Sequence, residues 1–564
     1  MKLLRMFLFV LLAGCQFLRI DADVTGLQPV PGQPFATGTT PSIVTYSPIA
    51  STGNVFAAVP NLNDNTVSVY AVDSSTGAFT PVPGSPFSTG TIPIWTAFSP
   101  VVNGNLFAAV ANEGANTVSV YQVDQTTGVF TPVPGSPFLA GSGPLSVDFS
   151  PVIDGNLFAA VANQGDNDVT VYQVNTTTGV FITVGSFSAG NGPTNATFSP
   201  ITNNGQIFLA VANGMDNTVS IFSVNPASGN LIPVTGSPFA APGQPNNTFF
   251  SSIIAGNLWL GVPQTGINSV AVFNVNQTTG VITEIPGSPF PTGNLPLAGD
   301  YSFYEGNLIA AISNFLSNDI SIYNVDLATG VYTPATISPF PSGASTDGLD
   351  FSPIIQGNLY LAVTNFTINQ ANVFQVQVTS TLPTVTSVSP NSGSTQGGTT
   401  VVITGTNFTN VTAVNFGSNP ASSFIVNSPT QITAISPPGT GTVDITVTTL
   451  AGTSAISASD QFTYIVPPLL PPPSFTGVIK KNIFLDRSEC YLQAKWTSSP
   501  TPNIISYRIY RDNILIAQIP ATSAHVFTKS LKKCTANGFS ITAVNSDNME
   551  SAHTPLTIVR KSSK

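Results

Sequence analysis

Between Arg19 and Lys480 the chain contains no lysine and no arginine, and its two histidines, His525 and His553, come later still. Residues 24–479 hold 18 aspartates and glutamates and carry negative charge with no basic side chain to balance it. A body of this kind repels phosphate, which argues against nucleic-acid binding through it. Beyond the N-terminus, every apolar run is interrupted by turn residues before it is long enough to span a bilayer. Charge of either sign is scarce, at 7% of residues, and the cysteines number three. Positive charge is concentrated at the C-terminal end, where residues 480–564 have 12 basic and 5 acidic groups. In a small β domain such a set reads as a solvated face.

Glycine and proline, at 47 residues each, fill the space that charge leaves. With abundant Val, Thr, Ser and Asn they specify short strands and tight turns rather than helices or disorder. A length of 564 residues exceeds one ordinary core and predicts several domains.

One pattern organises most of the chain. It begins at Asn54, Asn105, Asn156, Gln206, Asn257, Asn307 and Asn358, at intervals of 50 or 51 residues. Repeats of this length are stacked units that cannot bury their faces alone. Each reads as four strands, illustrated by residues 105–151 and their equivalents. The first alternates in polarity and carries one aromatic residue per copy (Tyr46, Phe98, Phe149, Phe198, Phe250, Tyr301, Phe351). The second, as in 106–111 (LFAAVA), is apolar on both faces, as a strand between two layers must be. The third is 117–124, followed by a Thr-Thr-Gly hairpin at 126–128. The fourth, 129–138 (VFTPVPGSPF), contains three prolines and must lie at a sheet edge, because proline cannot donate to a ladder. Four-stranded antiparallel units at this spacing make a β-propeller. Six complete copies begin near Pro41, Pro93, Pro144, Pro193, Pro245 and Pro296. A seventh lacks its fourth strand, and an isolated fourth-strand copy at 26–35 (GLQPVPGQPF) is expected to supply it.

The N-terminus reads as an export signal: Lys2 and Arg5 precede a short apolar run at 6–12. Two processing routes fit. Leu12-Ala13-Gly14-Cys15 matches the bacterial lipobox, with Cys15 as the lipidated residue; cleavage near Ala22 would instead give a plainly secreted protein.

The repeat (NTVSVY, TGVFTPVPGSPF, PLSVDFSP) resembles the YVTN-type and lactonase-like seven-bladed propellers. Beyond it, residues 383–408 (PTVTSVSPNSGSTQGGTTVVITGTNF), then Val414-Asn415-Phe416-Gly417 and Thr463-Tyr464, resemble the IPT/TIG family of immunoglobulin-like domains. Such domains serve as spacers or interaction modules. After the stiff linker Pro-Pro-Leu-Leu-Pro-Pro-Pro at 467–473, the segments around Trp496, Tyr507–Asp512 and Phe539–Asn545 resemble a fibronectin type III domain. In that fold Cys490 and Cys534 fall near strand starts at one end of the sandwich, so a disulfide is expected, two buried thiols being the alternative. The expected organisation is therefore all-β: a signal peptide at 1–23, the propeller at 24–380, the IPT/TIG domain at 381–466, the linker, and the fibronectin-like domain at 474–564.

The lactonase resemblance implies a hydrolase of the 6-phosphogluconolactonase type, but the residues do not support the chemistry. Opening a lactone needs a base for water and a positive or hydrogen-bonding group for the developing oxyanion. A propeller without His, Lys, Arg or Cys offers carboxylates, hydroxyls, amides and main chain only. Its best constellation is one repeat-equivalent position of the first strand: Thr45, Ala97, Asp148, Thr197, Phe249, Asp300 and Asp350. With Asn195, Asn247 and Ser146 nearby, the three aspartates could hold Ca²⁺ or sugar hydroxyls in the channel. The plainer reading is that each anchors a loop or meets channel water. Asn/Asp pairs at 63–65, 166–168, 216–217 and 318–319 fall at hairpins and read as turn residues that tolerate positive φ. Trp95 and Trp259 read as packing residues. The expectation is an exported, monomeric surface protein that binds a glycan or protein ligand without catalysis or a cofactor. A lactonase-like hydrolase and a structural envelope component are the alternatives.

Overall fold

The computed structural model describes residues 23–379, 382–408, 411–449, 451–484, 487–501 and 503–559. Cys15 and the signal segment lie outside the described residues. Among these residues the protein is all-β, its helices being two single 3₁₀ turns at Glu113–Ala115 and Ala458–Asp460.

Residues 24–378 form seven antiparallel sheets, the blades of a propeller. In blades 1 to 6 the strands run outward in chain order, and the first strands of neighbouring blades touch one another around a central channel. The second strands, such as Phe107–Asn112 and Phe158–Asn163, are buried along their whole length. Their apolar character is explained by position, since the cores lie between blades: Ala109, Val118 and Val120 of blade 2 pack with Val147, Val161 and Tyr172 of blade 3. Blade 7 is built from both ends of the propeller. Val24–Pro29 and Phe35–Ala36 pair with Gln370–Val378, Val24 facing Val378 and Phe35 facing Ala371.

The proline-rich outer segment differs from the single strand expected over 129–138. It is two short pieces, Phe130–Pro132 and Phe138–Leu139, separated by a turn with a cis Ser136–Pro137 bond. Proline removes the donors that a continuous ladder would need. The third-strand N–H left facing the break is satisfied by a side chain instead: Val120 N–H donates to Ser136 Oγ at 2.8 Å. The same bond recurs in five further blades, with Gln33 replacing serine in blade 7. Blade 3 has lost both the prolines and two residues, and there the outer strand Phe181–Ser188 is unbroken apart from a bulge.

The rest of the chain forms two β-sandwiches. The first stacks a four-stranded sheet containing Thr400–Thr406 and Gln431–Ile435 against one containing Thr442–Thr449 and Gln461–Ile465, with Ile403, Phe416, Ile445 and Phe462 buried inside. The second surrounds Phe475, Trp496, Tyr507 and Phe539, and Cys490 and Cys534 are joined in a disulfide with their Cα atoms 5.3 Å apart.

Candidate functional site in the propeller channel

Around the channel the first strands bring Thr45, Ala97, Asp148, Thr197, Phe249, Asp300 and Asp350 to equivalent positions lining a cavity of about 230 Å³. Their hydrogen bonds follow one rule: each polar side chain reaches the main chain of the next blade. Phe198 N–H donates to Asp148 Oδ2 (2.8 Å), Phe351 N–H to Asp300 Oδ2 (3.0 Å) and Tyr46 N–H to Asp350 Oδ2 (2.6 Å). The threonines work in the opposite sense. Thr45 Oγ1 donates to the Thr96 carbonyl and Thr197 Oγ1 to that of Thr248. The three aspartates thus act as staples between blades. Phe249 leaves the pattern by packing its ring on Tyr301, with centroids 4.8 Å apart.

Asn195 does not face the cavity. It is buried, and its Oδ1 accepts from the Thr248 N–H and from the hydroxyls of Thr248 and Thr197. Asn247 does line the cavity, and its Oδ1 is buried without a partner, as is Oγ1 of Thr96, which also lines it. Trp95 also lines the cavity, whereas Trp259 is buried in the core. Ser146 Oγ is taken by the Ala196 N–H.

Burial shifts the channel carboxyls upward. Loss of solvation raises Asp148 to about 7 against the opposing pull of the Phe198 and Phe149 N–H groups. Asp300 and Asp350 sit on neighbouring strands within hydrogen-bonding reach. Burial, then the charge of Asp300, pushes Asp350 well above the carboxylate range. Asp347, at the other end of the blade 7 first strand, is raised to about 6 by burial, offset by the Ser42 hydroxyl. Because the folded values of Asp148 and Asp347 lie above the unfolded one, the native state holds extra protons between about pH 4 and 7. The contribution to stability is full below pH 4 and is lost as pH rises toward 7, at up to about 1.4 kcal/mol per pH unit for each group. The melting temperature should therefore fall by several degrees between pH 4.5 and 7.5, with Asp148→Asn flattening the slope. A flat profile for the wild type would contradict this assignment.

The Asn/Asp hairpins have a role that spacing alone did not reveal. Asn65, Asn116, Asn167, Asn217, Asn268, Asn318 and Asn369 all have positive φ, as their turn position predicts. Each also accepts, through Oδ1, the N–H of the residue that opens the next blade, for example Ile92 to Asn65 (3.0 Å) and Thr40 to Asn369 (2.9 Å). Their recurrence was visible in the sequence; their partners were not. Among the described residues, no three His, Cys, Asp or Glu side chains are arranged to hold a metal.

Comparison with known proteins agrees with this architecture. Residues 47–245 match the family model described as lactonase, seven-bladed β-propeller, and residues 383–464 match the IPT/TIG domain. The chain carries a lactonase-like propeller followed by an IPT/TIG domain. Among solved structures it is similar to a putative 6-phosphogluconolactonase from Bacteroides uniformis, at 19% identity over 52% of this chain and 83% of that one, with a TM-score of 0.41. The periplasmic gluconolactonase PpgL of Pseudomonas aeruginosa is 18% identical over 52% and 84%, with a TM-score of 0.40. The fucose-specific lectin from Aleuria aurantia is 14% identical over 54% and 96%, with a TM-score of 0.37. No curated protein matches the chain.

Proposed function

We propose that the protein is exported and acts as a non-catalytic binding protein, its propeller recognising a neutral hydroxylated glycan or a protein surface. The observation that carries this reading is the use of the channel carboxylates: each is committed to main-chain N–H groups of its own ring. No basic side chain occurs between residues 19 and 480, so a phosphorylated substrate would meet only negative charge. Cys15 would tether the chain to a membrane if lipidated; otherwise the protein is secreted.

A second reading, hydrolysis of an uncharged lactone, has one observation in its favour. Asp148, raised to about 7, shares the cavity with the unpartnered Asn247 Oδ1, and carboxyls shifted in this way suit general acid–base work. The lactonase family match over 47–245 leans the same way. Assay of the purified protein on neutral and phosphorylated sugar lactones separates the two readings. Turnover at the buffer rate on both, with selective retention on a glycan or protein array, is the expected result. Turnover of a neutral lactone that Asp148→Asn, Asp300→Asn or Asp350→Asn abolishes would replace binding by catalysis. Silence on both assays would favour a structural envelope component.

Export has its own test, because trypsin lacks a site over about 460 residues. Trypsin applied to intact producing cells should clip the C-terminal domain and leave one large fragment. A chain untouched until lysis would place it away from the surface.

A further inference from the structure

The basic residues of the C-terminal domain are not spread evenly over it. Lys480 and Lys481 lie on the strand Phe475–Phe484, Lys529 on Val526–Leu531, and Lys532 and Lys533 in the turn that follows. In register, Lys481 faces Cys490 and Cys490 faces Leu531, so these strands lie side by side and about 10 Å separates the outer two. The Cys490–Cys534 disulfide ties the far end of the turn back to the middle strand. It thereby holds Lys532 and Lys533 near Lys481 instead of leaving them on a free loop. All five lysines are exposed. The ion pairs found among the described residues, Arg508–Glu550 and Arg511–Asp512, engage none of them; Glu489, facing Asn482, is the nearest acid in register. Lys480 and Lys481 also border a groove of about 600 Å³ with Asn482, Tyr491 and Val478. The groove therefore combines cations, an amide and a phenol ring.

Exposed lysines gathered in one region raise the local positive potential and attract anions. We propose that this end of the sheet, where Lys480 and Lys481 project from its two faces beside the groove, binds a polyanionic polymer of the cell envelope, a chain of repeating phosphate or carboxylate groups on hydroxylated units. The lysines would meet the charges, while Asn482 and Tyr491 meet the hydroxyls and sugar rings. A groove with these side chains suits a threaded polymer better than the flat plane of a bilayer. The C-terminal domain is then the tether, and the propeller, which lacks cations, stays clear of the same polymer. The envelope setting rests on the export proposed above, whereas the binding chemistry does not, and purified protein tests the chemistry alone.

The full-length protein should bind inorganic polyphosphate and polygalacturonate in a titration at low salt, and should ignore dextran. Affinity should fall steeply with added NaCl, as counterion release requires. Lys480→Gln/Lys481→Gln and Lys532→Gln/Lys533→Gln should each weaken binding about tenfold or more, while the matching arginine variants retain it. Reducing the disulfide should remove the difference between wild type and the second glutamine pair. A far-UV spectrum and melting curve identify any variant that has merely unfolded. Glutamine variants that bind as tightly as wild type, or no polyanion binding at low salt, would overturn the proposal. Binding to phosphatidylglycerol vesicles without binding to either polymer would replace it with a membrane site.

Discussion

Removing residues 23–36 should abolish cooperative unfolding of the propeller, or lower its melting temperature by at least about 10 °C. These residues are the outer strand of blade 7, and without them Gln370–Val378 becomes a nine-residue open edge. Val24, Leu27 and Val30 are buried in inter-blade cores, and each lost side chain costs about 1.5–3 kcal/mol. Asp23 adds a polar seam, accepting from Asn324 Nδ2 at 2.8 Å and donating its own N–H to Thr379 Oγ1. The total approaches the whole stability of an ordinary domain. Differential scanning calorimetry of the truncated protein gives the answer, and a synthetic 23–36 peptide added in trans should restore part of the loss. An unchanged transition would mean that the ring holds without its closing strand.

Gly179→Val should destabilise the propeller by about 3–5 kcal/mol, far more than the same change at Gly104. Both glycines have positive φ, 72° and 76°, and both lie at turns on the same propeller. A β-carbon at Gly104 meets nothing within 4 Å, so the backbone conformation alone is penalised, at about 1–2 kcal/mol. At Gly179 it would stand 2.6 Å from Phe107 Cδ1 and 2.8 Å from Val133 Cγ1, both in blade 2. Phe107 is wholly buried in the inter-blade core and has no room to retreat. Gly128 on Phe56, Gly229 on Phe158 and Gly280 on Phe208 repeat the contact between other blades. Denaturant unfolding of the two variants measures the difference directly. Equal losses at both positions would show that φ, not the neighbouring blade, sets the demand for glycine.

The seven blades were legible because their period is long, regular and marked by residues with local consequences. Proline at an outer strand and asparagine at a hairpin act within one or two turns of chain. What was not legible depends on neighbours that the ring alone assembles. Asp350 faces Tyr46, 304 positions away, and nothing in either segment names the other. The upward shift of Asp350 follows from the neighbouring first strand that carries Asp300, and Asn195 is taken up by Thr197 and by Thr248 of the next blade whereas Asn247 Oδ1 finds no such partner. The break in the outer strand lay closer to reach. Three prolines in ten residues already exclude an unbroken ladder, and the shortened blade 3 segment shows what the chain does without them.

The asparagine bonds at the hairpins all run in one sense, from each blade to its successor, and blade 7 hands its bond to blade 1. Every repeat therefore carries one acceptor for the blade ahead and one donor for the blade behind. A duplicated or deleted stretch of about 51 residues brings or removes both halves of a link together, leaving no orphaned partner at the seam. The unit that folds is in this way also a unit that a genome can copy, and a ring of this construction can change its blade number in a single event without first losing its joints.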